Sequence, residues 1–169
     1  MRTLKYVLPT LLAMAVVTFA AGAAIAADMG GTAPDFSFDS IKDGSTIHLS
    51  DNFDKPTVLV FCVSWCPHCR NELPAIQNLS EEFDGKAHFI GVSLDRDVSD
   101  ALKVVQGGSL TFPNAFANLS ADHTVIADYV IGGVPAIFVI DKGGGIKARH
   151  DGETSAEEIR GDLASVGVR

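Results

Sequence analysis

The chain has 169 residues and carries 13 Lys and Arg against 21 Asp and Glu, which gives a formal net charge of −8. This length predicts a single domain, and the acidity argues against a nucleic-acid partner, because phosphate binding needs clustered basic side chains. Three cysteines are too few for a disulfide framework, so the core must be held together by apolar packing.

The first 26 residues are predicted to be a secretory signal peptide, and residues 27–169 form the domain. Arg2 and Lys5 give a positive start, an apolar run follows, and Ala24-Ile25-Ala26 is a small-x-small cleavage sequence. An uncleaved membrane anchor is the alternative, because the apolar run approaches the length needed to span a bilayer. Both readings place the domain outside the cytoplasm, and the cleaved form predicts a periplasmic protein.

The first part of the domain reads as a β-hairpin followed by a central strand. Residues 35–39 alternate polar and apolar side chains, Asp43-Gly44 predicts a turn, and residues 46–49 return as a second strand. Residues 57–63 are apolar on both faces and rich in β-branched side chains. This run predicts a strand that helices cover on both sides.

A helix is predicted from Cys66 to Phe83, with apolar side chains along one face and a kink at Pro74. A buried strand at residues 88–94, a helix at about residues 98–105 and a short helix at residues 120–129 follow in order.

The chain is predicted to end in a hairpin and a helix. Residues 135–141 and 146–149 form antiparallel strands around a glycine-rich turn, and Ser155 caps the last helix. Strands that alternate with helices and end in a hairpin predict an α/β fold of three layers, α/β/α, around a central mixed sheet.

The chemistry is predicted to lie at Cys66 and Cys69. Cys66 follows a strand and opens a helix, where unpaired N–H groups and the helix dipole stabilise a thiolate. Cys69 lies three residues later on nearly the same helix face. We expect Cys66 to attack a partner disulfide and Cys69 to resolve the mixed disulfide, or the reverse sequence to oxidise a substrate. This chemistry calls for no metal or cofactor.

Three neighbours of the cysteines are further candidates. His68 lies between the two cysteines, where its N–H group or positive charge would stabilise the thiolate and make the disulfide more oxidising. Trp65 and Pro67 flank Cys66, and we expect both to border the bound substrate.

The remaining thiol, Cys62, lies within the apolar strand and is predicted to be a small buried hydrophobe. Its C-x-x-x-C spacing with Cys66 is nevertheless similar to that of Sco-type copper proteins. A copper-binding assembly protein is therefore the alternative from another functional class. A zinc site is disfavoured, because no second C-x-x-C or H-x-x-x-H is present.

Three segments together resemble the thioredoxin-like proteins of the TlpA/ResA type. They are Ala33-Pro34-Asp35-Phe36, the stretch from Phe61 to Pro74, and Gly133-Val134-Pro135-Ala136 with the strand that follows. The resemblance implies a thioredoxin fold with an N-terminal hairpin and an insert after the second core strand. It also implies that Pro135 is cis and faces the cysteines, and that backbone groups of Val134 pair with a substrate strand.

The resemblance further implies that Glu72, three residues after Cys69, serves as a proton carrier. One helical turn separates the two residues, so the carboxylate could accept the Cys69 proton. The alternative is a solvated surface carboxylate. Thioredoxin itself has a buried Asp six residues before its nucleophile, and Val60 occupies that position here.

The Cys-Pro-His-Cys motif itself is similar to that of DsbA-type disulfide oxidases, so the direction of electron flow stays open. The resemblance implies protein thiol or disulfide substrates and a membrane-bound redox partner that recycles the protein. Nothing in the sequence calls for more than a monomer.

A thiol peroxidase is a second alternative, because peroxiredoxins share the Ala-Pro-Asp-Phe opening. Their Pro-x-x-x-Thr/Ser-x-x-Cys pattern, however, ends at none of the three cysteines.

Overall fold

The computed structural model describes residue 27, residues 29–120 and residues 123–169. The predicted signal peptide lies outside these residues. Among the helices of the described ranges, none is long and apolar enough to cross a bilayer.

A mixed sheet of seven strands forms the middle layer. The strands are β1 (Ser37–Ser40), β2 (Thr46–His48), β3 (Thr57–Cys62), β4 (His88–Ser93), β5 (Asn114–Phe116), β6 (Ala136–Ile140) and β7 (Ile146–Asp151). Their order across the sheet is β2-β1-β5-β4-β3-β6-β7. Strand β3 pairs in parallel with β4 and antiparallel with β6, and every residue of β3 and β6 is buried. The predicted central strand is confirmed.

Four helices flank the sheet and complete the predicted α/β fold. They are α1 (Pro67–Glu82), α2 (Val98–Gly107), α3 (Thr124–Asp128) and α4 (Ala156–Ser165). Helix α1 begins one residue later than predicted, because Cys66 has an extended backbone and serves as the N-cap. It continues through Pro74 to its end. Helix α4 begins with a capping box between Ser155 and Glu158.

The N-terminal hairpin and the insert are both present. Strands β1 and β2 pair antiparallel, as expected. Helix α2 and strand β5 form the insert after β4, and β5 joins the hairpin to the core by pairing with β1 on one side and β4 on the other. Strand β5 was not predicted, because three residues are too short to show a periodicity.

An aromatic cluster fills the core beneath the end of β3. The ring centroids of Phe61 and Tyr129 are 5.0 Å apart, as are those of Tyr129 and Phe138. The buried Tyr129 hydroxyl donates a 2.7 Å hydrogen bond to the carbonyl of Pro34, which satisfies its polar end. The cluster therefore anchors the segment after α3, which leads to Val134 and Pro135.

Candidate active site

Cys66 lies between the end of β3 and the first turn of α1. Its Sγ accepts a hydrogen bond from the backbone N–H of Cys69, with a separation of 3.5 Å. Pro67 occupies the first helical position, where the missing N–H costs no hydrogen bond. The sulfur therefore lies at the positive end of the helix dipole, a position that stabilises a thiolate.

Both cysteines of the motif are buried, and neither is paired in a disulfide in this structure. Burial raises the pKa of the Cys69 thiol far above its usual value, although a hydrogen bond from the Val63 backbone opposes the shift. At neutral pH Cys69 is thus a protonated thiol. It can act as a nucleophile only when a base removes its proton.

The loop before β6 meets the helix at Cys66. The Val134–Pro135 peptide bond is cis, as the resemblance implies. The thiol of Cys66 donates to the carbonyl oxygen of Val134 at 3.4 Å. The predicted nucleophile and the predicted substrate-pairing backbone are therefore direct neighbours, although 68 positions separate them in the chain.

Glu72 is a buried carboxyl group with only 6% of its surface exposed, so the solvated-carboxylate alternative is wrong. Its Oε1 accepts a 2.7 Å hydrogen bond from the backbone N–H of Thr154. Its Oε2 is buried and has no hydrogen-bond partner among the described residues. Burial raises the pKa of Glu72, the Thr154 hydrogen bond lowers it, and the nearby Glu153 carboxylate raises it. This carboxyl therefore keeps its proton to a higher pH than a solvated glutamate does.

His68 is an exposed side chain that faces a carboxylate. Its Nδ1 lies 3.1 Å from Oε2 of Glu153, with 64% of the His68 side chain and 45% of the Glu153 side chain exposed. The predicted thiolate-stabilising charge of His68 is thus offset by a negative charge whenever the imidazole is protonated.

One short loop contacts three parts of the site. In the β7–α4 loop (residues 152–154), Gly152 donates its backbone N–H to the carbonyl of Pro135 at 2.8 Å. The next two residues contact His68 and Glu72, as described above. Sequence reasoning missed this loop, because it carries no motif and lies more than 80 residues from the cysteines.

Asp95 is the second feature that sequence reasoning missed. This carboxylate follows β4, is 3% exposed, and accepts hydrogen bonds from the backbone N–H and the hydroxyl of Ser64. Its only signal in the sequence is its position directly after a buried strand.

A groove of about 510 Å³ opens beside Cys66 on the side of the insert. Trp65 lies at its rim with 73% of its surface exposed. The apolar part of the lining also includes Leu119, Ile126, Ile131 and Val134, and Arg96 and Asp100 add charge. Such a lining suits an extended peptide that carries apolar side chains.

Cys62 is buried, and burial raises the pKa of its thiol to about 12. It is the small buried hydrophobe that the sequence predicts. Among the described residues, no group of three or more His, Cys, Asp or Glu side chains could hold a metal ion. The copper alternative therefore finds no assembled site in this part of the chain.

Comparisons with known proteins agree with this geometry. The model of the AhpC/TSA family matches residues 29–149. The thiol-disulfide oxidoreductase ResA of Bacillus anthracis is 31% identical over 140 residues, which cover 82% of this chain and 78% of ResA. The thioredoxin-like protein YneN of Bacillus subtilis is 29% identical over 79% of this chain and 78% of its own length. A structure from Chlorobium tepidum, described as a DsbE-type thiol:disulfide interchange protein, superposes with a TM-score of 0.75 at 27% identity, over 82% of this chain and 97% of that one.

Proposed function

This chain belongs to the AhpC/TSA family and is a thiol–disulfide oxidoreductase, and from that premise we propose that it reduces disulfides of protein substrates outside the cytoplasm through Cys66 and Cys69. The observation that carries the proposal is the position of the Cys66 sulfur. It lies at the N-terminus of α1 and against the Val134 carbonyl, beside a groove that can take a peptide.

The exchange proceeds in two balanced steps. The Cys66 thiolate attacks one sulfur of the substrate disulfide, forms a mixed disulfide and releases the other substrate sulfur as a thiolate, which is then protonated. Cys69 next loses its proton to Glu72 and attacks the Cys66 sulfur. The Cys66–Cys69 disulfide forms, and the second substrate sulfur leaves as a thiolate, which is then protonated. The substrate gains two electrons, and the cysteine pair loses them.

The charges around the pair favour a reducing couple. A strong oxidant needs a stabilised thiolate in its reduced form. Two basic side chains that are close to the cysteines in sequence are engaged elsewhere: His68 pairs with Glu153, and Arg70 donates to the carbonyl of Ser64 at 3.1 Å. The buried Glu72 adds no positive charge. These contacts oppose the oxidising character that the Cys-Pro-His-Cys motif predicts.

Substrate binding is assigned to the groove and the loop before β6. The backbone of Val134 can pair with an extended substrate segment, which would bring a substrate sulfur to Cys66. Trp65 offers a large apolar surface next to that segment. Pro67 and Pro135 stiffen the two backbone segments that border it. Protein disulfides therefore fit the site better than small disulfides.

The predicted signal peptide supports a location in the periplasm. Disulfides persist in such an oxidising compartment, and a reductant working there loses two electrons in each cycle. The proposal therefore includes a membrane-bound redox partner that returns those electrons to the Cys66–Cys69 disulfide.

The decisive experiment is the reduction potential of the Cys66–Cys69 couple in the protein without residues 1–26, measured by equilibration with dithiothreitol buffers. A reductant should have a value near or below that of thioredoxin, about −270 mV, whereas a value near that of DsbA, about −120 mV, would make the protein an oxidant. Insulin reduction by the same protein tests exchange itself. Turnover that survives Cys66→Ser would overturn the assignment of the nucleophile.

A further inference from the structure

Asp95 is a buried residue outside the cysteine motif whose carboxylate accepts hydrogen bonds from two serines. Its two carboxylate oxygens lie 3.1 and 3.0 Å from the backbone nitrogen of Ser64, and Oδ1 accepts from the Ser64 hydroxyl at 2.8 Å. Oδ2 also accepts from the hydroxyl of Ser93 at 2.9 Å. A carboxylate that is 3% exposed is costly unless its oxygens are paired, and here both are.

These bonds hold the turn that joins β3 to the nucleophile. Ser64 lies two residues before Cys66, beyond the end of the strand ladder. Asp95 binds its N–H and its hydroxyl, and Arg70 of α1 binds its carbonyl. Every polar group of Ser64 is therefore tied to a side chain from another part of the fold.

The turn determines where Trp65 lies. An indole that is 73% exposed has little packing to hold it, so its position depends on the backbone that carries it. That backbone is fixed by Ser64 on one side and by the N–H of Cys66, which donates to the Val63 carbonyl at 3.2 Å, on the other. Asp95 itself lines the same groove as Trp65.

We propose that Asp95 is a positioning residue for disulfide exchange: by binding Ser64 it fixes the turn that places Trp65 at the groove and Cys66 in line with a bound substrate disulfide. The inference rests on the proposed use of the groove by protein substrates. Asp95 itself neither transfers a proton nor touches the reacting sulfurs.

Three variants of the full chain test this assignment. Asp95→Asn keeps the size of the side chain but turns an amide toward two donors, so it loses acceptor contacts with Ser64. Ser64→Ala removes only the hydroxyl, and Ser64→Thr restores one. Asp84→Asn is the charge-matched control, because Asp84 is an exposed carboxylate in the turn that follows α1.

Two readouts separate positioning from general stability. Trp65 is the single tryptophan, so its emission and its quenching by acrylamide report on this turn alone. The second readout compares insulin, a protein substrate, with 5,5′-dithiobis(2-nitrobenzoate), a small disulfide that needs no groove. Losing hydrogen bonds to a buried carboxylate should lower kcat/KM for insulin about tenfold, while the reaction with the small disulfide changes far less.

We expect Asp95→Asn and Ser64→Ala to alter the Trp65 signal and the insulin reaction, and Ser64→Thr and Asp84→Asn to leave both near those of the unaltered protein. Unchanged Trp65 quenching and unchanged insulin kinetics in Ser64→Ala would overturn the proposal, even where Asp95→Asn fails to fold. An equal loss toward both disulfides would also overturn it. If insulin is not a substrate at all, the proposed function fails, but the Trp65 measurement still decides whether Asp95 positions the turn.

Discussion

The backbone N–H of Thr154 donates a 2.7 Å hydrogen bond to Oε1 of Glu72, a residue 82 positions earlier in the chain. This bond fixes one oxygen of a buried carboxyl and leaves Oε2 without a partner among the described residues. Besides burial and this hydrogen bond, two charged groups shift the pKa of Glu72: Glu153 from the β7–α4 loop raises it, and His150 from β7 lowers it. Burial is the main cause of its raised pKa.

The first prediction concerns Glu72→Gln. The glutamine can still accept from Thr154 but cannot take the Cys69 proton, so we expect the mixed disulfide to resolve about 100-fold more slowly. The measurement is stopped-flow release of the second substrate thiol. A resolution rate equal to that of the unaltered protein would remove Glu72 from the mechanism.

Glu72→Gln should slow the reaction but stabilise the folded protein at higher pH. Because the pKa of Glu72 is raised in the folded state, its carboxyl ionises at a lower pH in the unfolded chain than in the folded protein. The free energy of unfolding therefore decreases as the pH rises above the usual pKa of 4.5 towards the folded-state pKa. Glu72→Gln removes this loss. In urea unfolding, its stability relative to the unaltered protein should increase as the pH rises above 4.5.

A second prediction concerns Glu153→Gln. Removing this charge should lower the pKa of Glu72 and leave the positive charge of protonated His68 without its offset. The pH at which resolution reaches half its maximal rate should fall, and the reduction potential should rise. Both effects will be small, because the ion pair is exposed to solvent.

The control for that experiment is Glu157→Gln. Glu157 lies on the first turn of α4, is exposed, and pairs with Arg160 rather than with the site. Glu157→Gln changes the net charge by the same amount as Glu153→Gln. If both variants move the pH profile equally, the effect comes from net charge and not from the contact with His68.

A third prediction separates the two cysteines of the motif. Cys66→Ser should abolish insulin reduction, because the buried Cys69 thiol is protonated and cannot start the reaction. Cys69→Ser should instead accumulate a mixed disulfide between Cys66 and the substrate, visible on a non-reducing gel and by mass spectrometry. Accumulation in Cys66→Ser rather than Cys69→Ser would reverse the two roles.

Local sequence patterns predicted most of the fold but little of what surrounds the cysteines. Two elements could be predicted from local patterns, because their periodicity shows within a few residues. They are the strand at residues 57–63 and the helix after Cys66. The contacts of Glu72 with Thr154 and of Asp95 with Ser64 join elements 82 and 31 positions apart. No local pattern encodes such pairs, since packing alone brings them together. The burial of Glu72 and the offset of His68 by Glu153 could not be predicted for the same reason.

A fourth prediction addresses Cys62. Its thiol is buried, and its raised pKa of about 12 keeps it out of exchange at neutral pH. Cys62→Val should therefore leave insulin reduction unchanged, whereas Cys62→Ser should lower the free energy of unfolding by about 1–3 kcal/mol, because it buries a hydroxyl. Loss of turnover in a folded Cys62→Val protein would show that this third thiol takes part, and would reopen the copper alternative.

The last prediction concerns the segment that leads to Val134. Val130 has a φ of 49°, a left-handed conformation that β-branched residues rarely adopt. Arg149 of β7 holds this turn: its guanidinium donates to the carbonyls of Tyr129 and Val130 at 3.1 and 2.8 Å. The guanidinium also lies 5.2 Å from the centroid of the Phe138 ring, in a cation–π contact. The turn is thus strained, and the arginine offsets the strain.

Two substitutions test that balance. Val130→Asn should raise the free energy of unfolding by about 1 kcal/mol, because asparagine tolerates the left-handed region. Arg149→Lys should lower it by about 1–2 kcal/mol, because a lysine cannot bind both carbonyls with a planar fork. In the double variant the cost of Arg149→Lys should shrink, since less strain remains to be offset. Urea unfolding at pH 7 measures all three, and a destabilised Val130→Asn protein would mean that the turn stores no strain at this residue.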